Sequence, residues 1–486
     1  MENKLIKKFI EFAFGSGITL ILGFISSPII TRLVMPDNYG KFSMFNTVTN
    51  LILVVVMVGL DQAYVRFFYE EEEVSRKKLL RESIKIPMMV NLVFSLVLII
   101  FYRSFSKFIV GQYSFSVIIM LIIQNTLGIV GRFALLVVRM QQKGKLYSVL
   151  QVITKLTYIL GVLSLFVIFG NNYNTLVLAL ILSNLVCTIW AICTERDEWF
   201  GISKEIKLKT SNKELVVFGA PLIFSMAITW VFQSMDKFFI KAFNGYIELG
   251  LYSAAFTIIA LLNAVQGTFT TFWVPVANEK YVENPEKSKK FFSKVNLIVS
   301  FGMLIIAIGI ITFKDLLILL LGPKYRQASN IFPFLVFMPI MYTISETTVL
   351  GISFKKKNKN HIYIAIVSAL VNLAGNIILV PGLGAKGAAI STGVSYIVFF
   401  TARTLISNRL YYVDYNLRKF YTATILVTVL ALYASFNTSM LLLILLGIVV
   451  LIIVCFIYIE VLILAFKYLE NKFLKGKYKK KYKCKH

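Results

Sequence analysis

The sequence predicts an all-α polytopic membrane protein with about fourteen transmembrane helices. Three observations carry that prediction. The 486-residue chain is 58% hydrophobic, with a mean hydropathy of +0.76. Only 15% of its residues are charged, where a soluble domain carries about a quarter. Apolar runs near the ~20 residues that cross a bilayer core as a helix recur from one end to the other.

Taken in order, the first run, 8–34, is too long and too glycine-rich for a secretion-signal core, and no small-x-small cleavage site follows it. It reads as an uncleaved first span. The second, 44–68, carries Asp61 and Arg66 near its end and stops at Glu70 to Glu73. Arg66 and Glu70 stand i,i+4, so a pair holding the helix end at the interface is expected. Asp61 lies a turn and a half deeper, and that pair does not account for it. Spans at 84–103, 115–138, 147–169 and 174–193 follow, the last two joined by Gly170 to Tyr173, which forces antiparallel neighbours. The seventh to tenth run at 215–241, 250–275, 292–314 and 330–351. The eleventh and twelfth run at 361–380 and 386–406. The last pair, 418–435 and 440–466, is joined by Ser435 to Ser439.

Lysine and arginine orient these spans. Alternate connectors and the two termini hold 36 basic residues, and the opposite set holds nine. By the positive-inside rule both termini are cytoplasmic, as an even span number requires. The +27 net charge is spread over short connectors and the lysine-rich tail. Positive-inside anchoring and attraction to anionic membrane lipid account for that placement, and nucleic acid is not an expected partner. Cys187, Cys193 and Cys455 lie in apolar runs and Cys484 in the tail. With no C-x-x-C and only His361 and His486, neither a disulfide framework nor a metal site is expected. The glycines of PGLGAKGAA at 381–389 fit close helix packing and turns better than a phosphate cradle.

Tyr39-Gly40-Lys41-Phe42-Ser43 opens the second span, and Leu249-Gly250-Leu251-Tyr252-Ser253 opens the eighth, 210 residues later. Spans one to six and seven to twelve then read as two parallel copies. Such repeats place a substrate path between them near the midplane. The expected division is a six-helix bundle at 1–210, a second at 211–410, two extra helices at 411–466 and a basic cytoplasmic tail at 467–486.

With these residues the sequence resembles the Wzx-type polysaccharide flippases, in the superfamily that also holds the multidrug MATE exporters and the lipid II flippases. The landmarks are SSPIITRLVMPDNYGKFS at 26–43, GLDQAYVRFFYE at 59–70 and APLIFSMAITWVFQSMDKFFI at 220–240. LGLYSAAFTI at 249–258, LGPKYRQASNIFPFL at 321–335 and NLAGNIILVPGLGAKGAAISTGVSY at 372–396 continue the series. The resemblance implies two six-helix bundles around a central cavity that opens alternately to the two sides. It also implies transport of oligosaccharide units on an undecaprenyl diphosphate carrier across the bacterial cytoplasmic membrane, for cell-surface polysaccharide synthesis. Polymerases and glycosyltransferases would be the partner enzymes.

Ionisable residues inside a span cost about 2.5–3.5 kcal/mol, so they should face the bundle interior or a wet cavity. Gln124 and Arg132 share a face of the fourth span, and Gln151 and Lys155 share a face of the fifth. Both helices enter from one connector, so Arg132 and Lys155 stand at similar depths and suit a diphosphate headgroup. The alternative roles are snorkelling and pairing with a buried acid such as Asp61. Lys237, with Gln233, is a further headgroup candidate. Asp236 and Lys237 also read as an interfacial charge pair. Asp61 and Asp236 are the candidates for coupling to a proton or sodium gradient, with no other cofactor expected. Asn263 with Gln266, and Ser368 with Asn372 and Asn376, form polar stripes. Glu346, Arg403 and Glu460 are weaker candidates.

Competing readings are a cation-coupled drug antiporter of the same fold, a lipid II or teichoic-precursor flippase and, more remotely, a membrane polysaccharide polymerase. An antiporter would need an acid-rich cavity, whereas the buried residues lean basic. An enzyme of the polymerase or glycosyltransferase kind would need a longer external loop or a nucleotide-sugar domain, and the connectors around 195–214 and 277–291 are too short to fold alone.

Overall fold

A computed structural model describes residues 2–201, 208–464 and 466–467, with side chains from residue 17 onward except at 224 and 225. The expected tail at 467–486 lies outside the described residues apart from Lys467, as do Lys204, Lys207 and the side chains of Lys4, Lys7 and Lys8. The described elements are helices: α1 (Glu2–Leu33), α2 (Pro36–Val56), α3 (Leu60–Phe67), α4 (Arg76–Ile100), α5 (Tyr102–Val110), α6 (Phe115–Met140), α7 (Gly144–Phe169), α8 (Tyr173–Thr194) and α9 (Arg196–Phe200). They continue with α10 (Asn212–Glu283), α11 (Pro285–Thr312), α12 (Lys314–Ile318), α13 (Phe332–Leu335), α14 (Phe337–Thr348), α15 (Leu350–Phe354), α16 (Lys359–Leu410), α17 (Leu417–Phe436) and α18 (Met440–Ile457). A 3-10 turn at Pro323–Asn330 precedes α13.

Ten helices among the described residues are long and apolar enough to cross a membrane, or eleven if Pro323–Asn330 and Phe332–Thr348, bent by 61°, form one span. The physical reasons for the difference from fourteen are local. α10 runs through the expected seventh and eighth spans with a non-helical residue at Gly245, and α16 runs through the eleventh and twelfth with one at Gly384. Of α1, the part with described side chains, Gly17–Leu33, is an apolar helix shorter than a full span.

The second expected span is corrected most. It starts earlier than expected, at Pro36, where proline fits the first helical turn and Asp37 meets the positive end of the dipole. It then breaks. Val58 (φ 50) and Gly59 (φ 69) take left-handed backbone, and α3 starts afresh at Leu60. A side chain at 59 would put its Cβ 2.2 Å from the Gly219 carbonyl oxygen, so the break is also a close backbone crossing with the start of α10. The stretch 102–110, expected as the end of a span and a connector, is the helix α5.

Chain contacts gather into two compact units, residues 1–261 with 319–327 and 376–388, and residues 262–318 with 328–375 and 389–486. In the first unit, α7 packs on α1 and α8, and α6 packs on α8. Polar hydroxyls join helices far apart in sequence. Ser43 and Ser253 hydrogen-bond at 2.6 Å, as do Ser27 and Thr257. With no water in the bilayer core, such mutual satisfaction makes buried polar groups tolerable.

In the second unit, α11 packs on α14, α17 and α18. Its core gathers Trp273, Phe292, Tyr411 and Tyr415, and the Trp273 Nε1–H donates to the Glu346 carbonyl oxygen at 3.1 Å. Arg403 Nη1 meets Glu346 Oε1 at 2.8 Å with both side chains buried, and also donates to Ser345 Oγ. Glu460 pairs with Lys419 at 2.8 Å. Two of the weaker acid candidates are thus matched by cations.

Candidate functional site

A cavity of about 730 Å³ lies within the first unit, walled by α1, α2, α6, α7, α8 and α10. Gln151, Thr154, Lys155 and Tyr158 line it from one face of α7, as i, i+3, i+4 spacing dictates. Gly23 of α1 lies opposite and leaves room for the Lys155 side chain, whose Nζ lies 3.9 Å from where a Cβ at 23 would stand. Ser26, Ser27, Asn46 and Thr257 add hydroxyl and amide groups. Lys155 is the one charged residue among the described residues lining the cavity. Its Nζ stands 5.8 Å from the centroid of the Tyr158 ring. A cavity with a single cation and neutral hydrogen-bonding groups set among apolar side chains can hold an anion together with a polar, uncharged body.

Arg132 and Lys155 are placed differently. Arg132 Nη2 and Nε donate to Asp61 Oδ2 at 3.0 and 3.3 Å, and Gln62 Nε2 donates to the same oxygen at 2.9 Å. Asp61 is buried in the first turn of α3, with its Oδ1 unpartnered, while the Arg132 side chain is 53% exposed. The break before α3 makes this possible, because it aims the helix start, and the acid with it, at α6. The pairing alternative thus describes Arg132. Gln124 is buried on α6 with its Oε1 unpartnered. Gln151 is beside Lys155 in the cavity, and Lys237 is half-buried on α10.

Asp236 has partners the sequence did not suggest. Tyr252 Oη donates to its Oδ2 and Asn376 Nδ2 to its Oδ1, each at 2.6 Å. The acid is therefore clasped by two neutral donors from elsewhere in the chain, beyond the adjacent Lys237. The polar stripe on α16 divides. Asn376 serves Asp236, whereas Asn372 bonds Ser391 and Thr392 and so ties the two arms of α16 together. Arg66 does pair with Glu70, as the spacing predicts.

Comparison with known proteins fits this architecture. The chain is 20% identical over 399 residues to the probable low-salt glycan biosynthesis flippase Agl15 of Haloferax volcanii, covering 81% of this chain and 80% of that protein. It is 22% identical over 352 residues to Lsg locus putative protein 1 of Haemophilus influenzae, covering 71% and 82%. Among solved structures, lipid II flippase MurJ in an inward closed conformation shares the fold with a TM-score of 0.68 at 17% identity, over 93% of this chain and all of that one. An inward-facing MATE-family multidrug resistance transporter of the MOP superfamily matches with a TM-score of 0.57 at 13% identity, over 80% and 94%. A family profile covers residues 5–279, more than half of the sequence, and by that match this multi-pass membrane protein belongs to the polysaccharide biosynthesis protein family.

Proposed function

We propose that the protein is a flippase that carries oligosaccharide units, linked to a polyprenyl diphosphate, from the inner to the outer leaflet of the cytoplasmic membrane. The family match, the glycan flippase among its relatives and the fold shared with a lipid II flippase support this reading. The single observation that carries it is the cavity holding Lys155. Its one cation suits a phosphate oxygen, and its hydroxyl and amide groups suit sugar. A drug-cation antiporter is less well served, because the same cavity offers no acid among its described residues. Transport would proceed by alternating access between two six-helix copies. Asp61, through its ion pair with Arg132, and Asp236 are the two coupling candidates.

The test is flipping in proteoliposomes at matched protein levels, with diphosphate and monophosphate carriers of the same sugar chain. Lys155→Ala should slow the diphosphate substrate by about tenfold or more, the loss of one charge-assisted contact, and should slow the monophosphate less. Lys155→Arg should retain part of the rate. If either acid couples transport to a proton or sodium gradient, Asp61→Asn or Asp236→Asn should weaken that dependence, and normal flipping by both makes the acids structural. Normal transport by Lys155→Ala, or equal loss of both carriers, removes the headgroup assignment.

A further inference from the structure

Between α16 and α17, residues 411–415 run across the second unit as an extended strap that ends at Asn416, in left-handed backbone (φ 47). Tyr411, Val413 and Tyr415 are buried and Tyr412 and Asp414 are exposed, the alternation of an extended chain. The strap is held in place along its length. Asn408 donates from Nδ2 to the Val413 carbonyl oxygen at 3.1 Å and accepts from the Val413 N–H at 3.4 Å. Ser293 Oγ donates to the Asp414 carbonyl oxygen, and Tyr415 Oη to that of Thr347.

Two cavities, about 560 and 500 Å³, flank this strap and share Tyr412 to Asn416 as a common wall. Arg409 and Arg418 line the first, and Lys289, Lys290 and Lys294 line the second. Lys289 pairs with Glu286, and Glu460 at the second cavity pairs with Lys419. Lys290, Lys294, Arg409 and Arg418 are exposed and have no carboxylate partner among the described residues. Besides Glu460, the one acid lining these cavities is Asp414, whose Oδ1 accepts from the Asn416 N–H.

We propose that this strap is a binding site for the phosphate headgroup of an anionic phospholipid. The cations supply the charge, and exposed Tyr412 stands at both cavities as an amphipathic interfacial side chain. A soluble phosphate would need no apolar wall, yet Leu405 and Leu417 line the first cavity and Leu297 the second. The strap joins two membrane-length helices, so it lies at the depth where lipid phosphates sit. The site is separate from the Lys155 cavity and does not depend on the proposed transport.

Lipid retention by the purified full chain in detergent tests this, read by native mass spectrometry with phosphatidylglycerol, phosphatidylcholine and inorganic pyrophosphate as probes. Phosphatidylglycerol should be retained in preference to phosphatidylcholine, and equimolar pyrophosphate should not displace it. Replacing Lys290, Lys294, Arg409 and Arg418 by glutamine should weaken retention by at least about twentyfold, the worth of two of these charges at roughly fivefold each. The same change at four exposed cations of the first unit, Lys85, Lys145, Arg196 and Lys213, should alter it by less than about threefold. Asn408→Ala keeps every charge but unpins the strap, and should weaken retention severalfold. Equal losses in the two quadruple variants, displacement by pyrophosphate, or equal retention of phosphatidylcholine would overturn the proposal.

Discussion

Arg403 and Glu346 form a buried ion pair whose worth depends on what replaces it. The rings of Tyr342 and Phe399 stand 5.1 and 5.0 Å from the guanidinium, and its Nε is buried without a partner. Removing one member strands the other, which costs about 3–5 kcal/mol, whereas an apolar pair of similar volume is often neutral. Glu346→Ala should therefore lower thermal stability in detergent sharply, and Glu346→Leu with Arg403→Met should recover most of it. If the double variant regains stability but flips slowly, the pair serves transport; recovery of both makes it structural. At this scale the legible contacts were the local ones. Arg66–Glu70 follows from i,i+4 spacing alone. Glu71 was not legible as a staple, yet its carboxylate accepts from the Thr210 and Lys209 N–H groups at 2.8 and 3.2 Å. Nor was the clasp on Asp236, because Tyr252 and Asn376 reach it from 16 and 140 residues away. Consecutive helical residues such as Asp236 and Lys237 do not face each other, so the acid found its donors across helices.

The break at Val58 and Gly59 decides where α3, and hence Asp61, points. Glycine takes φ 69 without penalty, but a β-branched valine at φ 50 is strained by roughly 1–2 kcal/mol. Gly59→Ala should be poorly tolerated, because its Cβ would fall 2.2 Å from the Gly219 carbonyl oxygen and both segments are backbone. Val58→Gly should instead raise the unfolding temperature, or leave it unchanged, since it relieves strain at a half-buried position. Unfolding scans of the two purified variants check this, and a stable Gly59→Ala protein would show that the crossing can open freely. The helices themselves were legible from apolar runs, but this break was not. LILVVVMVGL reads as continuous hydrocarbon, and glycine alone is common within spans, so only the crossing with α10 reveals why the chain turns there.

Across the molecule, the sequence predicts a repeat and a sidedness, and contacts within the first unit bear on the repeat. Gly40 abuts the carbonyl of Tyr246, and Gly250 abuts that of Pro36, each with a would-be Cβ at 1.9 Å. Pro36 and Tyr246 stand 210 residues apart, as Gly40 and Gly250 do, and Ser43 bonds Ser253 at the same offset. Reciprocal contact of this kind is the signature of a local two-fold relation. The connectors also sort into two groups. Met35 N–H donates to Asn171 Oδ1, Arg32 to the Leu320 carbonyl and Tyr246 to that of Phe108, all from the set poor in basic residues. Tyr69 donates to the Met140 carbonyl, Lys143 meets Glu195, and Lys209 meets Glu72, all from the basic-rich set. The charge bias predicts that the basic-rich group is cytoplasmic, and labelling tests it. With the four native cysteines replaced, single cysteines at Asn172 and Asn437 should react with an impermeant thiol reagent applied to intact cells. Asn172→Cys removes the α8 cap, Oδ1 to the Asn174 N–H, at about 1 kcal/mol, which leaves labelling readable. Cysteines at Lys209 and Lys357, both exposed, should react only after permeabilisation. Labelling of Lys357→Cys from outside, with Asn437→Cys protected, would invert the orientation and move the strap at 411–416 to the outer leaflet.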